Sequence, residues 1–398
     1  MKQPMTVVIA RDRPSSGGGI VNYYRAISPY LDCKVCFLDI GRPHGFYGLT
    51  RGGLLRFTPI RLLSEWTCLF LKILWYRPDL VHVNPSLDPD CEFRSMKRDA
   101  VSAAIALVLG RKLLVFWRGW DNHWCGKPEF PGGNRGWLAR IYRKASAQIV
   151  LATRFKEDLR RWGFKMPIHV ETTVASDNCL GSETETEADD GRISLLFLSR
   201  IEEGKGVFEL IDAYRLLKAR DPRYLLTFAG DGPHLEALKC HAGELGLEGV
   251  SFPGFVAGEA KVACYRSAAI FCFPSAYPEG MPNAVLEALA MGLPVVASDV
   301  GGLRDILQEG KTGAMLVQRG EVPRRCFDPA EMADVIESLA NNPALRQRIS
   351  LSNAAYARER FAAPVVARRL QAIYESVVCG ADASQSEVRS TDLPSGGN

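Results

Sequence analysis

A chain of 398 residues is long enough for about two domains of ordinary size. With 47% hydrophobic and 24% charged residues it is globular in composition, which excludes a largely disordered or fibrous protein. The net charge of +4 hides a split: residues 1–171 hold 27 Lys and Arg against 14 Asp and Glu, whereas the remainder holds 22 against 31. The first half is therefore expected to face something anionic: a membrane surface, an acidic glycan, a lipid phosphate or nucleic acid.

The start, MKQPMTVVIARD, lacks a charged-then-apolar signal pattern and reads as a first strand. TVVIA, VCFLDI, LVHVN, KLLVFW and AQIVLAT are short apolar strands separated by helix-length segments, an α/β unit spanning residues 1–171. Between the second and third strands lies the run 52–78, where Arg56, Arg61, Lys72 and Arg77 alternate with leucines and aromatics. Two readings stand: an amphipathic basic helix on an anionic membrane, which the charge of this half favours, or a helix packed on the first sheet. The longest apolar run, 100–110, is about half a membrane span and reads as a buried helix. The 11 cysteines, an odd number without framework spacing, fit buried free thiols in a reducing cytosol; Cys33 and Cys36 form a CxxC inside a strand.

The polar, acidic stretch 172–191 is expected to be a linker or exposed loop. A second α/β unit, 192–360, follows: ISLLFLS, YLLTFAG, GVSFPG, AIFCFPS, LPVVAS and GAMLV as strands, with an amphipathic helix placing Val207, Leu210, Ile211, Tyr214 and Leu217 on one stripe. Strand–helix alternation argues for parallel sheets with right-handed crossovers, two units facing a cleft, and ligands at the carboxyl ends of the strands. After Asp328 only helical patterns remain; 361–379 is a last amphipathic helix, and the tail 380–398 is polar and expected to be disordered.

The strand ends of the second unit carry the chemistry. SRIEEGKG places Arg200 and Lys205 between glycines after the first strand, a pair of cations suited to a diphosphate. FAGDGP, with Gly230, and VSFPGFV, with Phe255 and Val256, end the next two strands in glycine turns. In PEGMPNAVLEAL, Glu279 precedes a helix whose entrance is formed by Gly280, Met281, Pro282 and Asn283, and Glu287 follows about 6 Å further along the axis at a rise of ~1.5 Å per residue. Such a helix start attracts phosphate, while a carboxylate beside it suits the hydroxyls of a sugar. Singly, these loops are ordinary connections and these glutamates a capping residue and a solvated one; in series they point to one ligand.

These motifs, with EGMPNAVLEALAMGLPVVASDVGG above all, resemble glycosyltransferase family 4, of GT-B fold, over roughly residues 194–317. The first half matches more loosely, through PSSGGGIVNY and PDLVHVNPS. The resemblance implies two Rossmann-like domains with the C-terminal helix crossing back to the first. It implies a retaining transfer from a nucleotide sugar to a hydroxyl of a glycan or lipid-linked acceptor, with no cofactor. Arg200 and Lys205 would neutralise the diphosphate in place of a metal, Glu279 would bind the donor sugar, Glu287 the ribose, and the main chain at Phe255 and Val256 the base. Gly18 and Gly19 would let the first loop approach phosphate or acceptor. Asp88-Pro89-Asp90 is a D-x-D that no metal site is expected to use.

One departure concerns the first domain, where many relatives carry a histidine at a strand end: Asn84 occupies the aligned position, and His82 reads as a core histidine. The segment FWRGWDNHWCG offers Arg118 for an acidic group and Trp120 for stacking on a sugar, or else a tryptophan-rich packing corner. The competing functions are a GT-B-like binding subunit without catalysis and a nicotinamide enzyme. The latter is disfavoured because Asn22 stands where a third glycine would complete the fingerprint begun by Gly17 and Gly19. Nucleic-acid binding would rest on charge alone. A cytoplasmic protein, peripheral on the membrane, is the expected location.

Overall fold

The computed structural model describes residues 5–12, 19–40, 51–87, 94–180, 191–320 and 327–380. The amino-terminal lobe contains β1 (Thr6–Asp12), β2 (Lys34–Ile40), β3 (Leu80–Val83), β4 (Ser86–Leu87), β5 (Lys112–Phe116), β6 (Gly119–Trp120), β7 (Ala147–Val150) and β8 (Ile168–Val170). Its parallel sheet runs β2-β1-β3-β5-β7-β8, and β4 and β6 form a separate two-stranded ladder. The carboxy-terminal lobe contains β9 (Ile193–Leu198), β10 (Tyr224–Ala229), β11 (Val250–Gly254), β12 (Ile270–Phe273), β13 (Val295–Ser298) and β14 (Gly313–Leu316), in the parallel order β11-β10-β9-β12-β13-β14. The second order is that of a dinucleotide-binding sheet, with the topological switch between β9 and β12.

The helices of the first lobe are α1 (Gly19–Ile27), α2 (Arg51–Tyr76), α3 (Arg94–Val108), α4 (Trp137–Tyr142) and α5 (Thr153–Arg161), and α6 (Asp177–Leu180) then packs on helices of the second lobe. Those that follow are α7 (Val207–Arg220), α8 (Leu235–Glu244), α9 (Gly258–Arg266), α10 (Asn283–Ala290), α11 (Leu303–Ile306), α12 (Pro329–Ala340), α13 (Pro343–Phe361) and α14 (Ala363–Cys379). Central strands such as β3, β7, β12 and β13 are buried along their whole length, as a sheet covered on both faces requires. Every strand expected from the apolar runs is present; β8 and the short β4–β6 ladder had no comparable run to announce them. Residues 181–190 of the expected linker, the tail beyond Gly380, Gly18 and the Asp88–Asp90 motif lie outside the described residues. Among the described residues no helix is long and apolar enough to cross a membrane.

The chain returns to the first lobe at Ala362, an extended residue between α13 and α14. Pro364, two residues on, lacks an N–H and disfavours helix before it, so α13 cannot run straight into α14. On the first lobe Lys112 Nζ caps the end of α14, donating to the carbonyls of Val377 (2.9 Å) and Val378 (2.7 Å). Arg369 reaches Glu171 Oε2 at 2.9 Å and Thr172 Oγ1 at 3.0 Å. At the centre, the Tyr374 hydroxyl lies 2.8 Å from His82 Nδ1, and His82 Nε2 lies 3.2 Å from the Tyr24 hydroxyl, which donates to Asn84 Oδ1 at 2.8 Å. A single neutral tautomer satisfies this chain: Tyr374 donates to Nδ1, Nε2–H donates to Tyr24, and Tyr24 donates onward.

His82 is fully buried, and burial first, then the Arg118 charge, holds its pKa well below the ordinary 6.5. Below about pH 6.5 the unfolded chain binds a proton that the folded chain refuses. This contribution to stability is therefore complete above that pH and is lost as pH falls towards the folded pKa. Urea unfolding between pH 7.5 and 5.5 is expected to show a loss of up to about 1.4 kcal/mol per pH unit from this group. His82→Gln, less stable at pH 7.5, is expected to have the flatter profile; an equal slope would contradict the assignment.

Candidate active site at the seam of two lobes

The carboxyl ends of β9 and β12 meet at the switch point of the second sheet, and two charged side chains converge there. Lys205, in the turn before α7, is only 6% exposed and forms an ion pair with Glu279, whose side chain is 14% exposed. The ammonium lies over the Tyr277 ring, 4.7 Å from its centroid, and Ser275 Oγ donates to the same Glu279 oxygen at 3.3 Å. Arg200 takes another direction: it is 61% exposed and pairs with Glu202 of its own loop at 3.0 Å. Gly230, at the end of β10, allows the neighbouring strand end to come close, since a Cβ there would stand 1.9 Å from the Ser199 carbonyl oxygen. Phe255 is 78% exposed beyond β11, whereas Val256 packs against the core.

The helix after Glu279 begins one residue later than its proline: Pro282 is the N-cap of α10, and Asn283 is its first residue. Met281 is buried. Glu287, two turns on, is also buried at 7% exposure, with Lys261 Nζ donating to one oxygen at 2.6 Å and the Tyr265 hydroxyl to the other at 3.1 Å. Both partners belong to α9, and neither is signalled by a local motif. The sequence cue was only that an acidic residue inside an otherwise apolar helix needs a partner.

The loop carrying Glu279 is clamped against the first lobe. A Cβ on Gly280 would lie 2.7 Å from the carbonyl oxygen of Arg118 and 2.7 Å from Leu151 Cδ1, and one on Gly302 would lie 2.1 Å from the Leu151 carbonyl oxygen. Gly302 N donates to Gly280 O at 2.8 Å. Across the same seam, Asp305 Oδ2 accepts from Thr153 N at 2.6 Å, so α5 receives its N-terminal acceptor from the other lobe.

On the first-lobe side, the Arg118 guanidinium stacks on the rings of Phe116 (3.7 Å) and Tyr23 (3.9 Å) and donates through Nε to Asn84 Oδ1 at 3.0 Å. Its Nη2 is buried without a hydrogen-bond partner, and no carboxylate pairs with Arg118 among the described residues. Asn84 spends its oxygen on Tyr24 and Arg118 and donates from Nδ2 to Ala10 O at 2.8 Å, so it positions Arg118. Trp120 does not offer a sugar-stacking face. It is buried, parallel to Phe155 at 4.5 Å and Trp162 at 5.6 Å, and the tryptophan-rich segment is a packing corner around it. Gly19, the first residue of α1, is exposed, with open space around it. Burial pushes the Cys33 thiol up to about 11, the opposite direction from that of an activated thiolate.

Residues 182–358 match the family model of glycosyl transferases group 1. The whole chain superposes on HepE of Anabaena in complex with UDP, with a TM-score of 0.70 at 17% identity over 94% of this chain and all of that one. It superposes on a sucrose-phosphate synthase of Thermosynechococcus elongatus with a TM-score of 0.67 at 16% identity, over 95% of this chain and 100% of the other. The chain thus has a GT-B fold, and residues 182–358 are similar to glycosyl transferases group 1. In sequence, this GT-B chain is 30% identical over 254 residues to the alpha-D-kanosaminyltransferase of Streptomyces kanamyceticus, spanning 61% of this chain and 63% of that protein. It is 35% identical over 185 residues to the phosphatidyl-myo-inositol mannosyltransferase of Mycobacterium leprae, 46% of each. It thus spans about half to two thirds of the length of these relatives.

Removing the cation from the Glu287 pocket leaves a buried carboxylate with one hydroxyl donor. Lys261→Met is expected to lower the stability of the GT-B chain by about 1–3 kcal/mol. In a denaturation double-mutant cycle, Lys261→Met with Glu287→Gln should cost less than the two single changes summed. Additive losses would show that the two side chains do not interact.

Proposed function

We propose that this protein is a retaining, metal-independent glycosyltransferase of family 4, moving a sugar from a nucleotide-sugar donor to a hydroxyl of a glycan or lipid-linked acceptor. The observation that carries the reading is the Lys205–Glu279 pair at the switch point of the second sheet, clamped at the seam with the first lobe. A lysine and a carboxylate side by side match a ligand that is anionic at one end and rich in hydroxyls at the other. Lys205, with Arg200 swinging in from the rim, would neutralise the diphosphate as it leaves, the task a metal performs elsewhere. Glu279 would accept hydrogen bonds from the sugar's hydroxyls, and Glu287, already fixed by Lys261 and Tyr265, would use its remaining lone pairs for the ribose. Gly280 to Asn283 lead into α10, whose first N–H groups favour phosphate, and Phe255 and Val256 would flank the base. Arg118 would meet an anionic group of the substrate from the first lobe, and Gly18 and Gly19 would let the first loop approach phosphate or acceptor.

The bond from the anomeric carbon to the diphosphate oxygen breaks, a bond from that carbon to the acceptor oxygen forms on the same face, and the acceptor's proton passes to the leaving phosphate. The closed seam would keep water from taking the acceptor's place. The UDP and UDP-glucose seen in the HepE structures make uridine nucleotides the first probes.

A panel of nucleotide sugars, screened by thermal shift and then by turnover with pooled acceptors, tests the assignment: the right donor should raise the melting temperature and be consumed. Glu279→Ala is expected to reduce transfer by about 100-fold or more with folding intact. Lys205→Ala should mainly weaken donor binding. Nucleotide binding with neither hydrolysis nor transfer would instead indicate a binding subunit.

The outer face of α2 supports a peripheral membrane role at the cytoplasmic face. Leu63, Leu71, Leu74 and Trp75, the last 83% exposed, line a shallow apolar groove on the lobe that carries the positive excess. Sedimentation with vesicles is expected to retain the protein when they contain phosphatidylglycerol and to release it when they are phosphatidylcholine alone. Trp75→Glu should abolish retention, and retention unchanged by that substitution would move the contact elsewhere.

A further inference from the structure

Lys205 and Glu279 pair with each other, and Ser275 Oγ also donates to the carboxylate. The carboxylate therefore stands immediately beside the place where a diphosphate would be received. We propose that Glu279 makes the site discriminate against the spent nucleoside diphosphate, admitting a diphosphate that carries its sugar and opposing one that has lost it. This rests on the reading of Lys205 as the diphosphate's cation and Glu279 as the acceptor for sugar hydroxyls.

The physical basis is an exchange of partners. A bare diphosphate must either draw the ammonium away from Glu279 or share it. In both cases a nearly buried carboxylate is left next to a polyanion, with one neutral hydroxyl donor. An intact donor brings its own compensation, because its sugar hydroxyls donate to Glu279 at the moment Lys205 turns to the phosphate. After transfer the sugar departs, the compensation departs with it, and the carboxylate reclaims its lysine. The same side chain that holds the donor sugar then promotes release of the nucleotide. The clamp on this loop matters here: Gly280 and Gly302 fix the main chain against Arg118 and Leu151, so the backbone that carries Glu279 stays beside the place where the diphosphate enters.

Inorganic pyrophosphate, the group common to nucleoside diphosphate sugars, is the probe, titrated calorimetrically into the full chain without divalent metal. Glu279→Gln, which keeps the size and removes the charge, is expected to bind pyrophosphate about tenfold tighter than the wild-type protein, and Glu279→Ala serves as the second variant. Adding Lys205→Met to either should erase the gain. If Lys205→Met weakens pyrophosphate binding while neither substitution at Glu279 strengthens it, Lys205 holds the diphosphate and the discrimination is wrong. If Lys205→Met changes nothing in any background, the diphosphate site itself lies elsewhere and both readings fall.

Discussion

Main-chain contact between the lobes at Gly280 and Gly302 is the constraint on which the site depends. Side-chain contacts across a cleft can slide, because rotamers adjust; a carbonyl within van der Waals reach of a Cα cannot be replaced without moving a strand end. Leu151 follows β7 directly and Arg118 comes two residues after β5, while Gly280 and Gly302 come seven and four residues after β12 and β13, so the two sheets touch through the loops at their strand ends. The inter-lobe cap of α5 by Asp305 and the weaker approach of Arg154 to Asp299 at 3.6 Å add charge complementarity to that seam. Glu279 sits on one of these loops. Its position is set by the joint geometry of both domains, not by the second domain alone.

The first lobe contributes a second fixed charge by a different route. Arg118 is immobilised by aromatic faces from α1 and β5 and by Asn84 after β3, and Asn84 is itself held by Tyr24 and the Ala10 carbonyl. Through His82 this network reaches Tyr374 on α14, a helix that follows the whole second lobe in sequence. The fold thus closes a loop: the chain crosses back and supplies, from its last helix, the donor that sets the tautomer of a buried histidine beneath the cleft. An arginine held in this way loses little further entropy on meeting an anion.

Much of this arrangement was legible in the sequence because parallel strands buried on both faces are continuous apolar runs, and because their glycine-rich ends recur in a fixed order. What escaped was whatever depends on distant partners. β8, of three residues, runs from a buried to an exposed end and is not buried throughout, and the β4–β6 ladder is too short to carry any periodicity. Trp120 and Arg118 stand two residues apart in one aromatic segment, yet one is a packing residue and the other a candidate ligand. Only the positions of Phe155 and Trp162 on one side and Tyr23 on the other distinguish them. Asn84 occupies a strand end that composition alone marks as ligand-facing, but its donors and acceptor are already engaged inside the lobe. Lys261 and Tyr265, in turn, lie on an ordinary surface helix, and their relation to Glu287 exists only once α9 and α10 are packed.

The two glutamates of the PEGMPNAVLEAL segment show how one motif acquires two electrostatic roles. Glu279 lies in the loop before α10, partnered by Lys205 at the end of a single 3-10 turn, Glu203–Lys205, that follows β9. Glu287 lies inside α10, and its partners Lys261 and Tyr265 lie inside or at the end of α9, with Tyr265 also bonded to the Ala284 carbonyl at 3.1 Å. Two regular elements and a second hydrogen bond hold that carboxylate in place, so it presents a fixed acceptor. On the proposed reading, recognising an intact donor and releasing its remnant would use one partner of each kind: an acceptor that does not respond to occupancy, and an ion pair that does.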